Sequence, residues 1–295
     1  MSKKVLGKPE SHSDVINKHP RTLLIGYGWV GQFVHKYFTE ADYYTPESGI
    51  VSKNPPPKND SIPKYYWDVG FINVPSPMNP DGSCDISIVQ QVVEEWHYTV
   101  KLFIIRSTVK PGTTKKLQEE YPDNLFVMQP EYLGETLGHP LIEPNRQTFI
   151  ILGGNKEATQ KAAEAWMTVL HSGSKIRQVN GKTAELCKYM ENSWNGLKVT
   201  FVSDWGRLVK NDDEVDFLEL REAWLDDPRI SRSHTFAYPN NPGFSGKCLP
   251  KDINAIVHYA RHEAGQPLEL MEEVLKINAE MRKHIKTTTP LLPEK

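Results

Sequence analysis

Apolar residues in the first 180 positions form short runs of strand length, separated by segments with helical periodicity. Strands are predicted at residues 21–25, 42–45, 69–74, 102–105, 125–128, 148–152 and 175–179. Helices are predicted from the glycine turn after residue 25 to about 38, and at 86–96, 113–121 and 157–170. The segment 46–63 is rich in proline and is predicted to be a loop. Alternating strands and helices favour a parallel sheet covered on both faces.

After residue 180 the pattern becomes almost entirely helical. One apolar stripe has steps of three and four residues, as on an α-helix, and consists of Leu186, Met190, Trp194, Leu197, Phe201, Trp205 and Leu208. It predicts a helix over 183–209, about 40 Å long at ~1.5 Å per residue. We therefore expect a loose tail at 1–20, an α/β domain at 21–180 and an all-helical domain at 181–295. A helix of this length often lies at a domain junction or a dimer interface.

Composition narrows the class of protein. The 295 residues carry 35 Lys and Arg against 37 Asp and Glu, so no basic excess favours nucleic acid or an anionic membrane. No apolar run approaches the ~20 residues that cross a bilayer, and the polar start does not resemble a secretory signal. Three cysteines do not make a disulfide framework and suit a reducing, cytoplasmic location. No metal site is expected.

A glycine motif opens the α/β domain. The run Gly26-Tyr27-Gly28-Trp29-Val30-Gly31 joins a predicted strand to a predicted helix. In that context the three glycines allow a tight turn, backbone approach to a pyrophosphate and close helix packing, so a dinucleotide cofactor is expected. The alternative is a glycine turn that binds no ligand. An acidic ribose ligand normally follows ~20 residues later, where Glu47 can serve; NAD is favoured and NADP stays open.

A second group of candidate residues lies in the helical domain. Cys248 is in a glycine-containing loop just before a predicted helix, where the helix N-terminus and Lys247 and Lys251 favour a thiolate. The alternative is a small buried cysteine, which is also our interpretation of Cys84 and Cys187. Lys188 and Asn192 are four residues apart and share one helix face, either as part of a site or as a solvated polar face.

Several motifs together resemble the nucleotide-sugar 6-dehydrogenase family, typified by UDP-glucose and GDP-mannose 6-dehydrogenases. The resemblance runs from about Arg21 to Asn278. Its motifs, in the family's order, are 26–31 (GYGWVG), 71–78 (FINVPSPM), 106–113 (RSTVKPGT), 129–135 (QPEYLGE), 184–192 (AELCKYMEN) and 246–252 (GKCLPKD). The resemblance implies a Rossmann-type NAD-binding domain and a helical central domain whose long helix forms a homodimer.

The resemblance also implies a reaction, the four-electron oxidation of a sugar C6 alcohol to a carboxylate with two NAD. In that scheme Cys248 forms a thiohemiacetal and then a thioester, which water hydrolyses. Lys188 and Asn192 stabilise charge on the C6 oxygen, whereas Asp252, Thr108 and Glu131 hold or activate water.

Further roles follow from the same resemblance. The residues expected along the cofactor, besides the glycine run, are Val74, Pro75, Ser107, Thr108, Glu135 and Lys251. The residues expected at the sugar and its phosphates are Glu131, Tyr132, Leu133, Lys188, Asn192, Arg229, Tyr238, Asn240, Phe244 and Gly246. Arg229 matches an arginine that reaches a sugar across the family's dimer.

The sequence departs from the family in two places. The stretch 45–68 is short, and the sequence ends soon after Asn278, where the family continues into a domain that grips the nucleotide. The sequence is thus expected to be either part of a longer chain or a naturally short protein of a small genome. In the second case it would bind substrate weakly or need a partner. UDP-glucose is the favoured substrate. The alternatives are a catalytically silent NAD-binding subunit and a two-electron hydroxy-acid or sugar-acid dehydrogenase.

Overall fold

The computed structural model describes residues 19–57, 62–133, 148–238, 240–283 and 285. The chain divides into two compact units. The first comprises residues 1–75, 87–107 and 112–184, and the second comprises 76–86, 108–111 and 185–295. Two short segments from the α/β part of the sequence therefore belong to the second, mainly helical unit.

The described part of the first unit contains an eight-stranded sheet. Its strands are β1 (Thr22–Ile25), β2 (Asp42–Thr45), β3 (Gly49–Val51), β4 (Trp67–Ile72), β5 (Val100–Ile105), β6 (Leu125–Met128), β7 (Phe149–Gly154) and β8 (Lys175–Val179). Their order across the sheet is β3-β2-β1-β4-β5-β6-β7-β8. Parallel pairing runs from β2 through β1, β4 and β5 to β6. The predicted α/β class with a Rossmann-like sheet is confirmed.

The described residues of this unit also form four helices: α1 (Trp29–His35), α2 (Ser87–Trp96), α3 (Thr113–Glu120) and α4 (Lys156–Met167). Each follows from a local signal. In α2 the buried residues Val89, Val93 and Trp96 recur at helical spacing. In α4 the Asn155 side chain accepts a hydrogen bond from the Ala158 amide at 2.8 Å, which fixes the start of the helix.

The prediction of a loop over 46–63 is wrong at its beginning. The three residues of β3 pair antiparallel with β2, with Thr45 opposite Gly49. Pro46 presets φ in the intervening turn, and Gly49 supplies the left-handed conformation, with φ +63°, that ends it. The sequence did not reveal this strand for two reasons. Prolines follow it, which favoured a loop, and an edge strand of three residues gives almost no periodic signal.

The expectation of a parallel sheet is wrong at two junctions, β2–β3 and β6–β7, both of which are antiparallel. Parallel neighbours need a crossover connection, whereas antiparallel neighbours do not. A continuous apolar run shows that a strand is buried but not which way it runs, so the sequence could not give these directions.

The core of the first unit is centred on Trp166 of α4, which is fully buried. Its ring makes edge contacts with Tyr37, Phe38 and Phe71 at centroid distances of 5.2–5.7 Å. Its indole N–H donates to the Gln129 Oε1 atom at 2.9 Å. This one side chain therefore joins the helix layer to the centre of the sheet.

The second unit is built on most of the long helix α5 (Gly181–Leu208), with α6 (Phe217–Leu225), α7 (Leu249–His262) and α8 (Glu269–Arg282). A buried cluster contains Phe244, Ile253, Met271 and Val274, with Leu197 of α5 against it. Helices α5 and α7 approach closely at Gly196, where an added Cβ would lie 2.3 Å from the Ile253 Cδ1 atom.

Helix α5 exposes its apolar stripe and buries its polar face. Met190 is 77% exposed and Trp194 54%, whereas Asn192 is 6% exposed. Two further polar residues on the buried side of this helix have partners that are distant in the sequence. Lys198 donates to the Ser233 hydroxyl at 3.0 Å, and Ser203 accepts from the Gly243 amide at 3.1 Å. The interpretation of Lys188 and Asn192 as a solvated face is therefore wrong for Asn192.

No helix in the described ranges is both long enough and apolar enough to span a bilayer.

Replacing Trp166 with Ala should lower the free energy of unfolding by about 3–5 kcal/mol, because a large buried ring and its contacts are lost. The adjacent Met167 is 69% exposed, so Met167→Ala should change that free energy by less than ~0.5 kcal/mol. Urea unfolding followed by circular dichroism measures both. Equal losses from the two variants would contradict this account of the core.

Candidate functional site

The glycine turn between β1 and α1 has the three geometries that a pyrophosphate cradle needs. Gly26 has φ +90°, and an added Cβ would lie 2.6 Å from the Asn73 carbonyl oxygen. An added Cβ at Gly31 would lie 2.2 Å from the Gly26 oxygen. At Gly28 an added Cβ would meet no described atom within 4 Å, so the backbone is open to a ligand. The residues present therefore fit a dinucleotide cofactor.

The other residues of the turn have distinct surroundings. Tyr27 stacks on Tyr43 with ring centroids 3.8 Å apart, and its hydroxyl lies 2.5 Å from the His35 Nδ1 atom. Trp29 is about half exposed at the start of α1, and Val30 is partly buried. Tyr27 thus fastens the turn to β2, whereas Trp29 is open to solvent.

Val74, Pro75 and Ser107 follow the carboxyl ends of two neighbouring parallel strands. The Ser107 hydroxyl donates to the Val74 carbonyl at 2.6 Å and thereby links the segments that follow β4 and β5. Val74 is half-buried and Pro75 is exposed. In parallel α/β sheets, ligands bind at this carboxyl edge.

An acidic turn lies at the end of β2, next to the cradle. The Gly26 amide donates to the Tyr44 carbonyl at 3.0 Å, so the cradle adjoins the last residues of this strand. The Thr45 hydroxyl lies 3.0 Å from the Ser48 hydroxyl. Hydrogen bonds from the backbone amide of Glu47 and from the Thr45 hydroxyl lower the pKa of the exposed Glu47 carboxyl.

In the second unit a buried carboxylate, Asp252, collects donors from three segments. The Asn192 amide of α5 donates to its Oδ2 atom at 2.5 Å, and the Thr108 hydroxyl donates to the same atom at 3.5 Å. The Lys251 ammonium lies 2.5 Å from its Oδ1 atom. Asp252 is 1% exposed and stands in the first turn of α7, where the helix dipole favours a negative charge.

Lys188 and Cys248 belong electrostatically to this cluster. Burial lowers the pKa of Lys188, while the negative charges of Asp252 and of a Cys248 thiolate raise it. Cys248 is exposed and occupies the N-cap position of α7. An accessible sulfur at a helix N-terminus beside an ammonium group is an environment that favours a nucleophilic thiolate. The cluster can therefore supply a nucleophile, a cation and an amide donor.

Two residues beneath the cluster were given no site role by the sequence. The buried Cys84 thiol donates to the Thr108 carbonyl at 3.6 Å, and it packs beside the fully buried Tyr189. Burial raises the pKa of both groups, which favours their neutral, unreactive forms, and the Cys84 thiol supports Thr108 through its carbonyl. The available signal was the Asp81-Gly82 turn, which folds the chain back so that Cys84 bridges to Met78.

Glu131 lies in the first unit and is held on both oxygens. Its Oε2 atom accepts from the Arg106 Nη2 atom, and its Oε1 atom accepts from the Leu133 amide at 2.6 Å. Tyr132 is half-buried and packs against Phe149. The structure thus assigns Glu131 a direct partner, Arg106, to which the sequence gave no role.

The expected sugar-binding residues of the second unit differ in exposure. Arg229 is exposed and paired with Asp227 through two nitrogen atoms, at 2.6–3.0 Å. Tyr238, Asn240 and Gly246 are exposed as well. Phe244, in contrast, is buried in the core, and its backbone is bonded to the Asn278 side chain. Glu135 lies outside the described residues.

The expected site residues are thus divided between the two units. Thr108, Lys188, Asn192, Cys248 and Asp252, together with Lys251, belong to the second. The glycine turn, Ser107 and Glu131 belong to the first. Among the described side chains, no group of three His, Cys, Asp or Glu residues has a metal-binding arrangement.

Two models of one protein family match this chain. Residues 63–171 match the NAD binding domain of the UDP-glucose/GDP-mannose dehydrogenase family. Residues 182–280 match the central domain of the same family. Together they cover most of the sequence, including the carboxyl ends of β4 to β6, helix α5 and the Cys248 loop.

Individual relatives agree with these matches. UDP-glucose 6-dehydrogenase TuaD of Bacillus subtilis is 28% identical over 231 residues, which are 74% of this chain and 48% of the relative. GDP-mannose 6-dehydrogenase of Pseudomonas putida is 25% identical over 209 residues, 65% of this chain and 46% of the relative. The chain spans about half the length of the curated relatives it matches.

Solved structures share the fold. A UDP-glucose dehydrogenase from Pyrobaculum islandicum superposes with a TM-score of 0.71 at 24% identity, over 90% of this chain and 69% of that one. A UDP-D-ManNAc dehydrogenase from Pyrococcus horikoshii gives 0.71 at 22% identity, over 89% and 69%. With the glycine cradle and the two matching domain models, these findings show that the chain belongs to the UDP-glucose/GDP-mannose dehydrogenase family and has its NAD-binding domain.

Proposed function

We propose that this protein is an NAD-dependent nucleotide-sugar 6-dehydrogenase that uses Cys248 as a covalent nucleophile. The observation that carries the proposal is the Asp252 cluster, in which Asn192, Thr108 and Lys251 surround a buried carboxylate one helical turn from an exposed cysteine. A turn with only a structural role would not require a buried carboxylate that has three donors and lies next to an accessible thiol.

The overall reaction is balanced as follows. One alcohol, two NAD+ and one water give one carboxylate, two NADH and three protons. Bound NAD+ supplies the electron-pair acceptor that takes hydride from C6 in each oxidation. The chain's own residues have to bind the sugar, provide the sulfur and stabilise oxygen charge.

The sulfur of Cys248 has two tasks. After the first oxidation it adds to the aldehyde carbon; a C–S bond forms and the oxygen takes a proton, which gives a thiohemiacetal. After loss of the second hydride and of that proton, the product is a thioester. Water then adds to the thioester, the C–S bond breaks, and the thiolate leaves with the carboxylic acid as the other product.

Charged and polar neighbours serve the oxygen atom in each step. The Lys188 ammonium, whose charge interacts with Asp252 and Cys248, is suited to stabilise negative charge on the C6 oxygen. Asn192 donates one of its two amide hydrogens to Asp252, and the second can be donated to the C6 oxygen of the sugar. Asp252, buried and anchored by three donors, holds Asn192 and Lys251 in fixed orientations and with Thr108 positions water.

We infer UDP-glucose as the first sugar to test. The amino-acid sequence of the loop at 240–252 supports this choice. The relative from Bacillus subtilis supports it as well, because it is named a UDP-glucose 6-dehydrogenase. Relatives named for GDP-mannose and for UDP-D-ManNAc define the alternative substrates.

A second copy of the chain is the partner that we propose for α5. Its exposed apolar residues include Met190, Trp194, Phe201, Trp205 and Leu208. An apolar stripe of this length on a water-facing helix favours burial against another apolar face. Residues of α6, among them Trp224, extend the same surface.

Cys248→Ala should abolish formation of the carboxylate, because no thioester can form without the sulfur. The matched control is Cys187→Ala, which removes a half-buried thiol from α5 and should retain turnover. The measurement is NADH released from limiting UDP-glucose at completion, with the product identified by mass spectrometry. Two NADH per sugar are expected from the wild type and the control. Full carboxylate yield from Cys248→Ala would rule out the covalent route, and one NADH per sugar in the wild type would indicate a two-electron enzyme.

Glu47→Gln should weaken NAD+ binding by about tenfold, because an ionised acceptor for the adenosine ribose hydroxyls is lost. It should also narrow the preference for NAD+ over NADP+, since the carboxylate would repel a 2′-phosphate. Glu40→Gln is the control, because Glu40 is an equally exposed carboxylate engaged with Lys53. Isothermal titration of both cofactors measures the effect without any sugar. Unchanged affinities in Glu47→Gln would remove Glu47 from the cofactor site.

Met190→Glu should shift the protein from dimer to monomer, because a charge would then be buried in the proposed interface. Met167→Glu puts the same charge on an exposed methionine of α4 and should leave the mass in solution unchanged. Sedimentation velocity at micromolar concentration measures both. A monomeric wild type, or a dimeric Met190→Glu variant, would contradict this partner assignment.

A further inference from the structure

A buried ion pair joins the carboxyl ends of two adjacent parallel strands. Arg106 follows β5 directly and Glu131 comes three residues after β6. The Arg106 Nη2 atom donates to the Glu131 Oε2 atom, and the two side chains are 1% and 11% exposed. The Leu133 amide donates to the Oε1 atom at 2.6 Å. Each oxygen of this carboxylate therefore already has a donor, and its orientation is fixed.

The surroundings of Arg106 make it dependent on this partner. Within the described residues, its Nε and Nη1 atoms are buried without a hydrogen-bond partner, as is the Nε2 atom of Gln129, the residue that follows β6. Burial lowers the pKa of Arg106 to about 9, so the guanidinium is still charged at neutral pH. Among the described residues, Tyr37 is a titratable group that acts on Arg106, and burial raises the pKa of Tyr37 to about 12. Tyr37 is thus neutral, and Glu131 is the anion that compensates the buried cation.

We propose that Arg106 is a positioning residue that holds Glu131 as a fixed, ionised hydrogen-bond acceptor. The proposal rests on the proposed function, together with the role at the sugar or the attacking water that the family resemblance implies for Glu131. A buried cation in contact with a carboxylate favours its ionised form, whereas a carboxyl group left alone in the same place would favour the neutral form. Two carboxylate oxygens have about four acceptor positions, of which Arg106 and the Leu133 amide use two. In the proposed role Glu131 also accepts a hydrogen bond from water or a sugar hydroxyl.

The proposal gives Glu131 and Arg106 different roles. In this arrangement Glu131 orients its hydrogen-bond donor but does not exchange a proton near neutral pH. The general-base role that the resemblance gives to Glu131 would require its conjugate acid to form at working pH, and Arg106 opposes that. Arg106 acts through Glu131 and has no contact with the reacting atoms of its own.

The first test is the pH dependence of kcat in the wild type, Arg106→Met and Arg106→Lys. In the wild type no loss of kcat between pH 8 and 6 should arise from Glu131. Arg106→Met should lose activity progressively over that range, since the unpaired buried carboxyl takes up a proton. Arg106→Lys should largely restore the wild-type profile, because it keeps the charge. Arg177→Met removes an exposed arginine from β8 and is the matched control. A wild-type profile in Arg106→Met would overturn the proposal.

The second test is thermal unfolding, which needs no turnover. Arg106→Met should lower the melting temperature at pH 7 by roughly 10 °C, because it leaves a buried charge unpaired. In the wild type the stabilisation by the ion pair is fully present above the unfolded carboxyl's pKa of ~4.3 and is lost only below it. In Arg106→Met the cost of the unpaired buried carboxyl decreases as pH falls from 7 toward that value. The difference between wild type and variant should therefore shrink toward pH 4. The double variant Arg106→Met, Glu131→Gln should recover much of the melting temperature at pH 7, since it buries no charge.

The two tests separate the possible failures. If the wild type oxidises none of the nucleotide sugars, the proposed function fails, and the pH dependence of the melting temperatures still decides whether Arg106 keeps Glu131 ionised. A melting difference that does not change between pH 7 and pH 4 would overturn the proposal in either case. If the difference behaves as expected but kcat in Arg106→Met keeps the wild-type pH profile, the pair is structural only and the positioning role is wrong.

Discussion

A charge that leaves water has to be compensated, and this constraint organises the chemistry of both units. In the second unit Asp252 is compensated by the Lys251 ammonium and by amide and hydroxyl donors from two other segments. Those contacts bring the short segment 108–111 and helix α5 to the first turn of α7. In the first unit the same constraint links Arg106 and Glu131 across neighbouring strands. Each of these two carboxylates therefore fixes the position of groups that are distant in the sequence.

The glycine cradle depends on a different constraint, which is the steric space around its backbone. Gly26 and Gly31 are required by the close approach of backbone atoms, whereas at Gly28 the space is open. The hairpin that follows β2 puts an acidic turn next to the cradle. A short connection of this kind retains the phosphate-binding turn and places the carboxylate of Glu47 on a turn instead of at the end of the strand.

Helix α5 has a buried polar face and an exposed apolar face. Its buried side carries Asn192, Lys198 and Ser203, each tied to a residue far away in the chain. Its exposed side carries bulky apolar residues such as Met190 and Trp194. An isolated soluble domain would normally have the opposite arrangement. The inversion is what one expects of a helix that supports a polar site on one side and offers a contact surface on the other.

The sequence by itself determined the α/β class, most strand and helix positions, the glycine turn and the family, because periodicity, turn residues and ordered motifs are local properties. Local context also singled out Cys248, Lys188 and Asn192 as candidates, and the resemblance added Asp252. Tertiary structure alone decided the antiparallel directions of β3 and β7, since an apolar run has no direction. It also decided that the polar face of α5 is buried and that Arg106 pairs with Glu131. These are contacts between distant segments, and burial of a charged or polar side chain depends on what packs over it, which no local pattern records.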